Sequence, residues 1–218
     1  MRELLRRMGR VSAPLLVHLG TTFVVAYGAV LYSMLPGKSQ PDDTLLTTLC
    51  ALMALPFLWR MWKQDRRVIP SAAENRKREW WFYFLAFGCG IAASFAGSWI
   101  MNLLQVQEVF SNEVQEGLFS SGFALQLAGL GLIVPVTEEL IFRGLFYERL
   151  REVMPIRWAI LCAAAVFALY HGNPIQIIYA FPMALLLHFF YEQSGTLTAP
   201  ILFHIGANLI SVAVEHWL

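Results

Sequence analysis

The sequence predicts an all-α membrane protein, a polytopic helical bundle with about seven transmembrane helices. Hydrophobic residues make up 57% of the 218 residues and charged residues only 14%, whereas soluble domains carry about 25% charged residues. The apolar residues are grouped in segments that approach the ~20 residues needed to cross a bilayer. The basic residues alternate between connections, as the positive-inside rule requires.

Seven apolar segments are candidate spans, and counts of six and eight are the alternatives. In chain order they are Leu15–Met34, Leu45–Trp59, Trp80–Leu104, Phe123–Tyr147, Trp158–His171, Ile175–Tyr191 and Leu197–Trp217. The second and fifth are shorter than the ~20 residues of a full span. The chain length fits one integral-membrane domain, residues 1–218.

The distribution of Lys and Arg predicts the orientation. Residues 1–14 hold four of these basic residues, residues 60–79 hold seven and residues 143–157 hold four, whereas residues 105–122 hold none. Because cytoplasmic loops are enriched in basic residues, the N-terminus, the 60–79 connector and the turn at 148–157 are predicted to be cytoplasmic. We expect a multi-pass protein of the plasma (inner) membrane.

Net charge and cysteine usage exclude other classes of protein. The net charge is +1, which does not indicate a nucleic-acid partner. Cys50, Cys89 and Cys162 all lie in apolar segments, and their spacing fits neither a disulfide framework nor a zinc motif. We interpret them as small buried hydrophobic residues.

Two adjacent acids, Glu138 and Glu139, lie inside the fourth apolar segment. A carboxylate at this depth costs about 2.5 kcal/mol or more, so such acids are functional candidates by default. Arg143 follows Glu139 by four residues, which places the two on one helix face as an ion pair. Glu138 points about 100° away. One acid and one Arg would suffice to hold a bundle together, so the second acid is available for chemistry.

Three other polar residues have informative positions. His171 and Glu138 lie at similar distances on either side of the hairpin centred on Met154, so antiparallel helices would place both at about the same depth. His204 and Asn208 share one face of the last helix, an arrangement that suits oxyanion stabilisation, metal binding or interhelical hydrogen bonds. His204 is close in sequence to the preceding turn, so either that turn is sunk into the bundle or Pro200 distorts the helix.

These residues carry three motifs: Glu138-Glu139 followed by Arg143, Phe167 followed by His171, and His204 followed by Asn208. The motifs resemble those of the CAAX-protease and bacteriocin-processing (CPBP) family of intramembrane proteases, which includes the Ras-converting endoprotease of eukaryotes and many bacterial members. All three are intact and in order. The resemblance covers residues 125–210 and identifies residues 123–210 as the expected catalytic core.

The resemblance implies a glutamate-dependent intramembrane endopeptidase. Glu138 is then the general base that activates water, with assistance from His171, while His204 and Asn208 stabilise the oxyanion. Glu139 and Arg143 orient and balance the first acid, and Phe167 packs beside the site. The implied substrate is a membrane-associated or lipidated peptide or protein within the lipid bilayer.

Metal dependence and two other functions are left open by the residues. Glu138, His171 and His204 could hold Zn²⁺ with an open fourth position, although the sequence has no His-Glu-x-x-His motif. A proton-coupled transporter also uses buried Glu and His, but its usual inverted repeats are not evident. A non-catalytic immunity or scaffold membrane protein is the third alternative. His18 and His188 belong to no motif and are expected to form hydrogen bonds at the membrane interface.

Overall fold

A computed structural model of the chain describes residues 2–68, 78–106, 110 and 113–217. Within these ranges the protein consists of helices and short connections without a strand, which confirms the predicted all-α bundle. The helices are α1 (Arg2–Ser33), α2 (Asp43–Val68), α3 (Trp80–Leu103), α4 (Glu113–Phe119), α5 (Phe123–Leu150), α6 (Ile156–Leu169), α7 (Pro174–Ser194) and α8 (Thr198–Trp217).

Six of these helices, α1, α2, α3, α5, α7 and α8, are long and apolar enough to cross a membrane. The remaining predicted span corresponds to α6, which is apolar but has only 14 residues. At 1.5 Å per residue it is about 21 Å long, shorter than a bilayer core of about 30 Å. Within the described ranges the polytopic bundle therefore contains six long helices, the short apolar α6 and the seven-residue α4.

The two ends of the bundle have different kinds of contact. At one end Arg10 pairs with Glu152 at 3.0 Å and Arg149 pairs with Asp65 at 2.7 Å, which joins α1, α2 and the end of α5. At the other end the ring of His216 in α8 stacks on Phe123, with centroids 4.4 Å apart. The basic segments predicted to share one membrane face thus lie together, opposite the end of α8.

Two predicted boundaries were wrong. The second span was expected to end at Trp59, but α2 continues to Val68, because Lys and Arg are good helix formers even where the apolar run has ended. This extension takes up the start of the predicted 60–79 connector; residues 69–77 lie outside the described residues.

The helix expected at Trp158–His171 ends instead at Leu169. Gly172 then adopts a left-handed conformation, with φ of +68°, which glycine reaches without steric cost. Asn173 caps the next helix by accepting hydrogen bonds from the backbone N–H groups of Ile175 and Gln176, and Pro174 occupies the first helical position. His171 therefore lies in a turn rather than in a helix.

The central element is α5, which is buried continuously from Glu139 to Tyr147. It contacts α1, α2, α6 and α8. The path is α-helical except for two π-helical stretches, Leu127–Ile133 and Leu140–Tyr147, which lie on either side of the paired glutamates. π-helical turns are often found at functional sites. Their position on either side of Glu138 and Glu139 makes these glutamates candidate functional residues.

Helices α3 and α8 cross at two glycines. A Cβ atom added to Gly206 would lie 2.4 Å from the carbonyl oxygen of Phe87, and one added to Gly90 would lie 1.9 Å from that of Phe203. Such separations are far shorter than van der Waals contact, so only glycine allows the two backbones to approach this closely. The crossing sets the position of α8, which carries His204 and Asn208.

We expect Gly206→Ala to reduce the stability of the protein. The new methyl group meets backbone rather than a movable side chain, so α3 and α8 must separate, at a cost of about 1–3 kcal/mol. Gly88→Ala is the matched control, since a Cβ at Gly88 meets nothing within 4 Å. Thermal unfolding in detergent measures the effect; equal melting temperatures for the two variants would contradict the assigned crossing.

Candidate active site

Glu139 is the anionic centre of a completely buried cluster. Its Oε1 atom accepts a hydrogen bond from Nη1 of Arg143 at 2.9 Å, and both side chains are 0% exposed. The same oxygen accepts from Nδ1 of His204 at 2.8 Å. The ion pair predicted from the four-residue spacing is therefore present, and it compensates the burial of both charges. The hydrogen bond from His204 to Glu139 joins α5 to α8.

Arg143 makes further contacts that fix the cluster in the core. Its Nη2 atom donates to the carbonyl oxygen of Ala184 at 3.3 Å, and its guanidinium carbon lies 4.5 Å from the ring centroid of Phe167. A guanidinium over an aromatic face is attracted by the ring quadrupole. Arg143 thus links α5, α6 and α7 around a single positive charge.

Glu138 lies outside this ion pair and is accessible. Its side chain is 21% exposed, and its Oε2 atom is 3.7 Å from Nε2 of His204. The two ring nitrogens of His204 therefore face different glutamates: Nδ1 faces Glu139 and Nε2 faces Glu138. Adjacent acids in the sequence thus have different environments, one enclosed and one partly exposed.

His204 has a defined orientation and tautomer. A carboxylate paired with Arg only accepts hydrogen bonds, so Nδ1 of His204 carries the hydrogen donated to Glu139. Nε2 is then the nitrogen directed toward Glu138. The turn before α8 is sunk into the bundle, because Leu197 packs against Gly144 in α5. This explains how His204, near the start of α8, reaches the level of the glutamates.

Phe167 connects the second motif to the other two. Its ring is 2% exposed and contacts the His171 ring edge-on at 5.0 Å and the His204 ring at 6.1 Å. It also packs edge-on against Phe142 at 4.9 Å. Phe167 therefore lies level with Phe142 and Arg143, and His171 follows it by four residues.

His171 follows Phe167 in the turn after α6. Its Nδ1 atom is 2.9 Å from the Phe167 carbonyl oxygen, which only accepts, so Nδ1 carries the hydrogen. This leaves the Nε2 lone pair of the neutral ring to accept a proton or a hydrogen bond. Since the side chain is only partly buried, His171 has the geometry of a candidate base rather than of a core histidine.

Asn208 contacts α5 at a backbone carbonyl that has no N–H partner within the helix. Its Nδ2 atom donates to the Leu130 carbonyl oxygen at 2.9 Å. Leu130 lies in the π-helical stretch, where its carbonyl would pair with the N–H five residues on, but that residue is Pro135, which has none. Asn208 supplies the missing donor and retains a second amide hydrogen for another acceptor.

We expect Asn208→Ala to destabilise the protein by about 1–2 kcal/mol, the value of an interhelical hydrogen bond in a membrane. In a Pro135→Ala background this cost should fall toward zero, because the substituted alanine restores a backbone N–H for the Leu130 carbonyl. Unfolding of the four proteins in bicelles measures the difference, with exposed Asn102→Ala as the control. An equal cost in both backgrounds would contradict the account of Leu130.

Three residues at this site have no sequence signal of their own. His188 was expected at the membrane interface, but it is 0% exposed; its Nδ1 atom donates to the Ala184 carbonyl, which also binds Arg143. His18 in α1 and Tyr170 beside His171 form a hydrogen bond of 2.7 Å. The His18–Tyr170 hydrogen bond joins distant segments, and none of the three residues lies at a motif position.

The candidate zinc ligands do not form a metal centre in this arrangement. Nδ1 of His204 is hydrogen-bonded to Glu139 and Nδ1 of His171 to the Phe167 carbonyl, so Nε2 is the only nitrogen of each ring that could bind a metal. Among the described residues, no three His, Cys, Asp or Glu side chains converge as a metal-binding group. The suggested Glu138, His171 and His204 ligand set is not supported, and no reaction step is assigned to Zn²⁺.

Comparison with known proteins identifies the same segment. Residues 120–210 match the family model described as type II CAAX prenyl endopeptidase Rce1-like. No curated protein and no solved structure matches the chain. The matched residues contain all three motifs and every residue of the buried cluster. In this segment, which is less than half of the chain, the protein is similar to type II CAAX prenyl endopeptidases.

Proposed function

We propose that the protein hydrolyses a peptide bond in a membrane-associated or lipidated peptide or protein, with residues 123–210 as the catalytic core of a single domain. The observation that carries this proposal is the difference between the adjacent glutamates. Glu139 is enclosed and paired with Arg143, whereas Glu138 is 21% exposed and directed toward His204. Glu138 therefore has the access to water that a general base needs.

In the proposed reaction Glu138 removes a proton from water as the oxygen attacks the peptide carbonyl. His171, through Nε2, helps to orient that water. The carbonyl oxygen becomes an oxyanion, the C–N bond breaks, and the proton passes to the leaving nitrogen. General acid–base catalysis of this type contributes about 10²- to 10⁴-fold to the rate.

His204 and Asn208 are the proposed oxyanion donors. Nε2 of His204 lies beside Glu138 and can donate when it carries a hydrogen, and Asn208 offers the amide hydrogen that Leu130 does not use. Donors that are already oriented before reaction stabilise developing charge most effectively. Glu139 and Arg143 hold His204 in place.

We also propose that the basic end of the bundle faces the cytoplasm of a cell whose plasma membrane contains the protein. The ion pairs of Arg10, Asp65, Arg149 and Glu152 join the segments with the most Lys and Arg. By the positive-inside rule these segments stay on the cytoplasmic face.

The test uses the purified full chain in proteoliposomes, with three peptide substrates: a prenylated peptide with a C-terminal CAAX sequence, its unprenylated form, and an unrelated transmembrane peptide. Mass spectrometry should detect two fragments whose combined mass exceeds that of the substrate by one water. Cleavage should persist with a metal chelator and after joint replacement of Cys50, Cys89 and Cys162 by Ser. If none of the three substrates were cleaved, the proposed function would be contradicted.

A further inference from the structure

Helix α1 contributes a histidine to the surroundings of Glu138, although α1 lies before the residues that match the family. Nδ1 of His18 is 2.7 Å from the hydroxyl oxygen of Tyr170, and the two rings are 5.6 Å apart at an angle of 52°. The residues are separated by 152 positions in the sequence. This contact therefore joins the N-terminal helix to the turn after α6.

The His18–Tyr170 pair borders the candidate site. The Glu138 carboxylate interacts electrostatically with both side chains. Tyr170 directly precedes His171, and its ring packs edge-on against Phe142 at 5.5 Å. Tyr170 is therefore held by α1 on one side and by α5 on the other. It lies next to His171, which is proposed to orient the attacking water.

Within the described part of the chain, the other hydrogen bonds of the turn that carries His171 are all short-range ones. Beyond Leu169 the backbone leaves the helix: the N–H of His171 donates to the Ala168 carbonyl and that of Gly172 to the Leu169 carbonyl. Short segments without continuous helical hydrogen bonds open more readily than helices do. A side-chain hydrogen bond from a separate helix is therefore an effective anchor for this turn.

We infer that His18 is a positioning residue of the active site, whose hydrogen bond to Tyr170 anchors the turn that carries His171. The N-terminal helix is then part of the catalytic unit. This inference rests on the proposed function for its effect on hydrolysis, while the anchoring itself is a property of the fold. Misplacement of a catalytic group by about 1 Å can cost about 10²-fold in rate.

Two variants remove the hydrogen bond while keeping the rings, His18→Phe and Tyr170→Phe. Each should lower kcat by about 10-fold to 10²-fold with little change in KM, and the double variant should lose no more than either single variant, because both act through one contact. His18→Asn, whose amide occupies nearly the position of Nδ1, should recover part of the loss. Tyr27→Phe and His216→Phe are the controls, chosen as an exposed tyrosine of α1 and a histidine at the far end of α8.

Amide hydrogen exchange at residues 170–173, measured in proteoliposomes, tests the anchor without an activity assay. His18→Phe and Tyr170→Phe should increase exchange in this turn, and His18→Asn should restore protection. Unchanged exchange, a wild-type kcat in His18→Phe, or losses that multiply in the double variant would overturn the inference. A wild-type protein that cleaves no substrate but shows the expected exchange would locate the failure in the proposed function, and would overturn the catalytic part of the inference alone.

Discussion

Glu138→Gln is expected to lower kcat by about 10²- to 10⁴-fold, because Gln has nearly the size of Glu but cannot accept a proton from water. The melting temperature should change little, since Glu138 lies outside the buried ion pair and is partly exposed. Rates of fragment formation in proteoliposomes measure the effect. This is the largest change in activity expected from a single substitution.

The control for this variant is Glu215→Gln, an exposed glutamate of α8, which should cleave at the wild-type rate. Because the substitution is the same, a difference between the two variants reports the position of the carboxylate. Cleavage by Glu138→Gln at more than a tenth of the wild-type rate would contradict the role assigned to Glu138.

Arg143→Met is expected to cause the largest loss of stability, about 3–5 kcal/mol, because it leaves the Glu139 carboxylate buried without its cation. The long apolar Met side chain retains much of the packing against Phe167. Adding Glu139→Gln to this variant should recover most of the loss, since no uncompensated charge is then buried. Chemical unfolding in detergent measures all three proteins.

The matched control is the pair Glu3–Arg7, which has the same four-residue spacing but side chains that are 64% and 57% exposed. Surface pairs of this kind contribute about 0.3–0.5 kcal/mol, so Arg7→Met should have little effect. If Arg143→Met were no more destabilising than Arg7→Met, the Glu139–Arg143 pair would not be the buried structural centre described here.

The different environments of Glu138 and Glu139 could be predicted from local helix geometry. Residues four apart on a helix share a face, which paired Glu139 with Arg143 and directed Glu138 elsewhere. The structure contains this pair. The predicted equal depth of His171 and Glu138 assumed a regular rise per residue up to His171, whereas the helix ends at Leu169 and His171 lies in the following turn.

The partners of α8 could not be predicted in this way. The contact of Asn208 with Leu130 depends on a π-helical turn combined with Pro135, and hydrophobic periodicity does not report such a change in hydrogen-bond pattern. The double contact of His204 with both glutamates depends on how far the preceding turn sinks into the bundle. Depth counting from the sequence assumes turns at the membrane surface.

Contacts between distant segments also could not be predicted from the sequence. His18 has no motif, and its apolar neighbours resemble those of any membrane-spanning helix. Its contact with Tyr170 arises because α1 packs against the central helix, which only the assembled bundle shows. Polar residues placed singly in long apolar helices thus require the fold before their partners can be identified.

The central claim is that Glu138 activates water for direct attack on the peptide bond. A single-turnover cleavage in water labelled with heavy oxygen tests it. The account predicts one labelled oxygen in the new carboxyl group of the product and no label in the protein. An unlabelled product, with the label instead in the Glu138 side chain, would show that the glutamate attacks the substrate itself and would contradict the account.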